Sequence, residues 1–134
     1  MITYHKDGTL PTNGEIFVFG SNLAGIHGAG AAKVALEKFG AQWGQGQGFQ
    51  GLSYAIATKD KDLNPRDLAT IAYAIKIFNI GTQISSHVNT RWFVTRVGCG
   101  LAGFKDEQIA PLFKDAINCS FAESWRPYLE GSIE

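Results

Sequence analysis

Glu15-Ile16-Phe17-Val18-Phe19-Gly20-Ser21-Asn22-Leu23-Ala24-Gly25-Ile26-His27-Gly28-Ala29-Gly30 changes character twice within sixteen residues. Its first five residues are a β-prone apolar run that reads as a buried strand. The middle is a glycine loop. From Ala29 the period becomes helical: Ala32, Ala35, Leu36 and Phe39 share one face, Lys33, Glu37 and Lys38 lie mostly opposite, and Gly40 stops the helix. A glycine-rich turn between a strand and a helix brings bare N–H groups to a helix end whose dipole favours anions.

The arrangement recurs. Arg91-Trp92-Phe93-Val94-Thr95-Arg96-Val97 reads as a strand and feeds Gly98-Cys99-Gly100-Leu101-Ala102-Gly103-Phe104, after which Asp106 to Ile117 reads as a helix with Pro111 as an obstacle to regularity. Two such loops suggest a phosphate held from both sides. Between them, Leu52 to Thr58 reads as a further buried strand, ending at Lys59-Asp60-Lys61-Asp62. Asn64-Pro65-Arg66-Asp67 reads as a helix start, with Asn64 as cap and Pro65 in the first turn. Leu68, Ile71, Ala72, Ile75 and Phe78 carry that helix's apolar face, and it is expected to run on through Ile80, Ile84 and Val88 despite Gly81 rather than break there. Trp43 to Gly51 reads as a flexible polar loop and functional rim, and Trp125, Pro127 and Tyr128 as a short closing helix. Strands alternating with helices predict an α/β fold, with ligands outside the carboxyl ends of the strands.

At 134 residues, one domain buries about two thirds of its unfolded surface and needs no partner domain. Twelve basic residues balance twelve acidic ones, so no extended cationic face for nucleic acid is implied. No apolar stretch approaches the roughly 20 residues of a membrane span, and residues 1–10 lack the apolar core of a signal peptide, so a cytoplasmic protein is expected. Cys99 and Cys119, without metal-ligand spacing, read as free thiols; no metal or cofactor is expected.

Familiar phosphate signatures do not fit. The first loop lacks the Gly-Lys-Ser/Thr ending of a P-loop and the GxGxxG of dinucleotide folds. Instead, Gly20-Ser21-Asn22 with His27-Gly28-Ala29-Gly30-Ala31-Ala32 and Lys38-Phe39-Gly40 resembles the macrodomain core. Arg96-Val97-Gly98-Cys99-Gly100-Leu101 resembles an element of the branch that includes the terminal ADP-ribose protein glycohydrolase and an ADP-ribose-binding chromatin-remodeller module. The resemblance runs from about Ile16 to about Ile117 and extends to small macro-like proteins of phages and bacteria. It implies a mixed sheet between helices and a pocket for ADP-ribose or a related adenine nucleotide, free or as a terminal modification of a macromolecule.

In that reading the diphosphate lies between Gly28-Ala29-Gly30 and the stretch Gly98-Cys99-Gly100-Leu101-Ala102-Gly103. Asn22, after Gly20 and Ser21, holds the distal ribose, His27 beside Gly28 is a donor near the anion, and Phe104 packs against a sugar face. Trp43 or Phe49 is the candidate cover for adenine. The glycohydrolase of this branch uses a lysine and a second-loop aspartate. Lys59 stands at the matching strand end, but Ala102 occupies the aspartate position, which leaves Asp60 or His27 as substitutes and makes binding the leading function. A glycohydrolase using Lys59 is the alternative. A protein-interaction module with Trp43 and Phe49 on its partner surface is the second.

Overall fold

The computed structural model describes residues 2–130. Six strands form one mixed sheet: β1 (Thr3–His5), β2 (Ile16–Asn22), β3 (Gly48–Gln50), β4 (Ser53–Lys59), β5 (Trp92–Val94) and β6 (Cys119–Ala122), in the order β1-β6-β5-β2-β4-β3. All pairs are parallel except β3 with β4. Both faces of β2 are buried, which is why Ile16 to Phe19 is continuously apolar rather than alternating. Phe17 and Phe19 point to α1 (Gly30–Lys38), joined by Ala32, Ala35 and Phe93. Ile16 and Val18 point to the opposite layer, formed by α2 (Leu68–Ile84), α3 (Asp106–Ile109), α4 (Arg126–Glu130) and short 3-10 turns between them. The expected α/β arrangement is present.

The differences from the sequence reading are local. Asn64 does not cap α2: Pro65 bridges back to Lys59, Asp67 holds the cap position, and the helix begins at Leu68. It continues past Gly81 but ends at Ile84, short of the expected Val88, because Ser85–Val88 tightens into a 3-10 turn. The strand through Val97 ends at Val94, leaving Arg96 in the following turn. The helix expected over 106–117 lasts one turn, and Pro111 starts a separate 3-10 turn at Ala110–Phe113 because it lacks the N–H to continue the ladder. The polar loop at 43–51 contains β3, and β1 and β6 carry no strong local signal. The closing tail is a 3-10 turn, Glu123–Trp125, followed by α4.

The first glycine loop packs against the 43–51 loop. The Gly44 amide donates to the Gly25 carbonyl at 2.9 Å. A Cβ on Gly25 would run into the backbone of Gly44 and Gln45, and one on Gly46 into the Asn22 carbonyl. His27, fully buried, pins the contact. Its Nε2 meets the Gln45 carbonyl at 3.0 Å, so this nitrogen donates, and Nδ1 accepts from the Ser21 hydroxyl at 3.2 Å.

Candidate functional site

A cavity of about 690 Å³ opens over the carboxyl ends of the strands, within the size range of small-molecule sites. Connections leaving β2 and β5 diverge to opposite sides of the sheet there, the position where open α/β sheets leave a crevice. Both glycine loops reach it. Gly20, Ser21, Asn22, Gly28, Ala29 and Gly30 line one wall, and Gly98, Cys99, Gly100, Leu101 and Ala102 another. The two approach closely at their roots: a Cβ on Gly20 would come within 3.3 Å of the Gly98 nitrogen.

Donors are concentrated on these two walls. Ala29 occupies the cap position of α1 and supplies no side-chain cap. The amides of Gly30, Ala31 and Ala32 therefore have no acceptor among the described residues, the first intrahelical bond being Lys33 to the Ala29 carbonyl at 3.2 Å. Across the cleft, Cys99 and Gly103 donate within their own turn, whereas the amides of Gly100, Leu101 and Ala102 have no acceptor among the described residues. Lys59, at the end of β4, lines the same cleft with no ion pair among the described residues.

The other charged groups here are already engaged. Arg96 chelates Asp106 through Nε and Nη2, both at 2.9 Å, and the Trp125 indole donates to the same carboxylate at 2.7 Å. Burial alone would raise the Asp106 carboxyl, but hydrogen bonds from Arg96, Trp125 and Cys99 outweigh it and hold it below its ordinary range. Arg96 thus ties the root of the second loop to the start of α3. The Asp7 carboxylate accepts from the Ser124 hydroxyl at 2.8 Å. Burial first, then the Asp106 carboxylate, pushes the Cys99 thiol up to about 12, which favours the neutral thiol over the thiolate.

Several expected site residues lie elsewhere. His27 does not reach the cleft, because both ring nitrogens serve the loop packing below it. Asp60 caps its own turn, accepting from the amides of Asp62 at 2.9 Å and Asn64 at 3.0 Å. Gly103 does not line the cavity, and Phe104 packs on the main core. Asn22 reaches the cleft, but its side-chain amide closes the first loop, bonding the Ile26 carbonyl at 2.9 Å and the Ile26 amide at 3.0 Å. Neither aromatic proposed as an adenine cover is present: Trp43 packs edge-on against His27, and Phe49 lies beside Tyr54 and Trp92 at the amino ends of β4 and β5.

The remaining wall was not foreseen. Phe17, Phe93 and Val34 make it apolar, and the N-terminal residues His5, Asp7, Thr9 and Leu10 edge it. His5 stacks on Phe93 with ring centroids 3.7 Å apart, and its Nδ1 meets the Ser120 hydroxyl at 2.8 Å. No local pattern marks these residues, since a three-residue strand reaches the site only through its pairing with β6.

Burial pushes the His5 imidazole down to about 4, against a smaller opposing pull from Asp7. The fold favours the neutral ring, so its contribution is fully present above the ordinary value near 6.5 and is lost as pH falls through about 4. Discounting for partial exposure, that contribution is about 1–2 kcal/mol. Melting temperature is accordingly expected to fall across this window in wild type and to fall less in His5→Gln, as followed by calorimetry at stepped pH.

No family model matches the chain, and no curated protein matches it. The fold is shared with a solved structure, a protein of unknown function from Bacteroides thetaiotaomicron, with a TM-score of 0.60. The alignment covers 91% of this chain and 97% of that one at 19% identity. At that identity the likeness concerns the fold alone. Among the described residues no group of side chains is arranged to hold a metal ion, and no helix is long and apolar enough to cross a membrane.

Proposed function

We propose that the cleft binds a nucleotide carrying a diphosphate, with ADP-ribose or a related NAD-derived nucleotide as its ligand, free or attached to a macromolecule. The observation that carries this reading is the opposed pair of donor arrays: the uncapped start of α1 on one wall and the free amides of Gly100, Leu101 and Ala102 on another. Such arrays suit an anion shared between two loops. Lys59 adds the one cation near them that is not already paired with a carboxylate among the described residues. The apolar wall of Phe17, Phe93 and Val34 suits a base or sugar face, so the cleft is polar and apolar in the order a nucleotide requires.

Titration calorimetry with ADP-ribose is expected to give saturable heat, and saturating ligand to raise the melting temperature. Absence of heat at millimolar ligand removes the proposal. Lys59→Ala is expected to weaken binding about tenfold, the order of one charge-assisted hydrogen bond.

The glycohydrolase alternative draws on the same unpaired Lys59. It lacks an acid/base partner: Ala102 has no carboxylate, Asp60 is committed to its turn, and Asp7 is bonded to Ser124. Wild type is therefore expected to bind ADP-ribose without releasing it from a modified substrate. Release abolished by Lys59→Ala would make the alternative the better account.

A further inference from the structure

Helix α2 is apolar on two opposite sides. Ile71, Ile75, Phe78 and Thr82, spaced 4-3-4, face the core and are buried. Tyr73, Ile77, Ile80 and Ile84 repeat the same 4-3-4 spacing two residues along, about 200° around the helix axis. They are 67%, 48%, 45% and 68% exposed. A helix at a domain surface ordinarily turns charged residues outward. This one has a single Lys, Lys76, and no acidic residue among its seventeen. Phe49, 54% exposed, extends the patch beside it, because it contacts Tyr54, which in turn packs on Phe78 and lines a groove with Tyr73 and Ile77.

We propose that this stripe is a homodimer seam, occupied by the α2 helix of a second copy of this chain. A 4-3-4 apolar stripe is the seam of paired helices, and it is complementary to itself under a two-fold axis. In an antiparallel pair, residue 77 of one copy faces 80 of the other, and 73 faces 84. The flanking positions are small or uncharged on one side, Ala74 and Gly81, and a Cβ on Gly81 would meet no atom within 4 Å, so a second helix has room to approach. Charge argues for self-pairing: the chain is neutral overall, and the seam offers no charged pattern with which to select a different partner. A membrane surface is disfavoured by the same scarcity of cations. The patch, on the order of several hundred Å², is smaller than the roughly 800 Å² per partner of a standard interface, so a reversible dimer is expected. No residue of α2 lines the nucleotide cleft, which stays open in the dimer.

Sedimentation velocity over a concentration series reaching the high-micromolar range tests the seam. Wild type is expected to move from the 14.5 kDa monomer towards twice that mass. Ile77→Glu and Ile84→Glu, both at exposed positions that leave the core untouched, are expected to raise the dimer dissociation constant at least tenfold while retaining wild-type circular dichroism. An Ile77→Glu chain mixed with an Ile80→Lys chain is expected to associate where neither does alone. Wild type that stays monomeric throughout, or a dimer indifferent to both glutamates, overturns the proposal and leaves the stripe to a different protein.

Discussion

Gly46→Ala is expected to lower the melting temperature by more than about 10 °C. The added Cβ would occupy the position of the Asn22 carbonyl, and Asn22 is the last residue of the central strand. Backbone cannot yield there as a flexible side chain would. On one side, Gly25 abuts Gly44 and Gln45; on another, His27 ties Gln45 to Ser21. Relief requires the two loops to separate, breaking these bonds together, at a cost of about 4 kcal/mol or more. Gly44→Ala is the matched control. Its φ of +95° strains any L side chain, but its Cβ meets nothing within 4 Å, so its cost is about 1–3 kcal/mol. Equal melting temperatures for the two variants would contradict the loop contact.

Trp125→Ala is expected to cost about 3–5 kcal/mol in urea unfolding, a large share of the 5–15 kcal/mol that holds a domain of this size together. Trp125 is fully buried, packs on Phe113 and Phe121 at centroid distances of 5.5 and 6.1 Å, and donates to Asp106. Trp125→Phe separates the two roles. It keeps most of the packing and removes only the donor to a carboxylate, which costs about 1.5–3 kcal/mol. Because Asp106 in turn chelates Arg96, Trp125→Phe is also expected to loosen the second glycine loop and weaken ADP-ribose binding severalfold. Unchanged affinity in a folded Trp125→Phe protein would show that the loop does not depend on this chain of contacts.

What was legible in the sequence follows from how local the determining interactions are. The strand at Ile16 to Phe19, the helix from Gly30 and both glycine loops were readable because apolar period and glycine act over neighbouring residues. Continuation of α2 past Gly81 was readable for the same reason, since one glycine costs less than the flanking apolar face supplies. By contrast, β1 and β6 are three and four residues long and are fixed by pairing Thr3 with Ser120, which no window along the chain contains. His5 entered the cleft by that route and was missed. His27 was misplaced because its position beside Gly28 suggested the anion, whereas burial directed both its nitrogens to Ser21 and Gln45. Asn22 illustrates a different limit: the residue reaches the cleft, but its amide is committed to Ile26 by geometry that the sequence does not encode locally.

The pairing of β1 with β6 also sets a schedule. During synthesis, the first glycine loop and Lys59 emerge well before Ser120 and Phe121, the residues against which Thr3 and Tyr4 align, and the second glycine loop precedes them more narrowly. Until then Thr3–His5 has no strand to join, and the edge of the cleft that runs from His5 to Leu10 is missing. The donor walls can form early, but the pocket is completed by the joining of the two ends of the fold. Binding of the proposed ligand is therefore expected to appear late in refolding, after the helical signal has recovered.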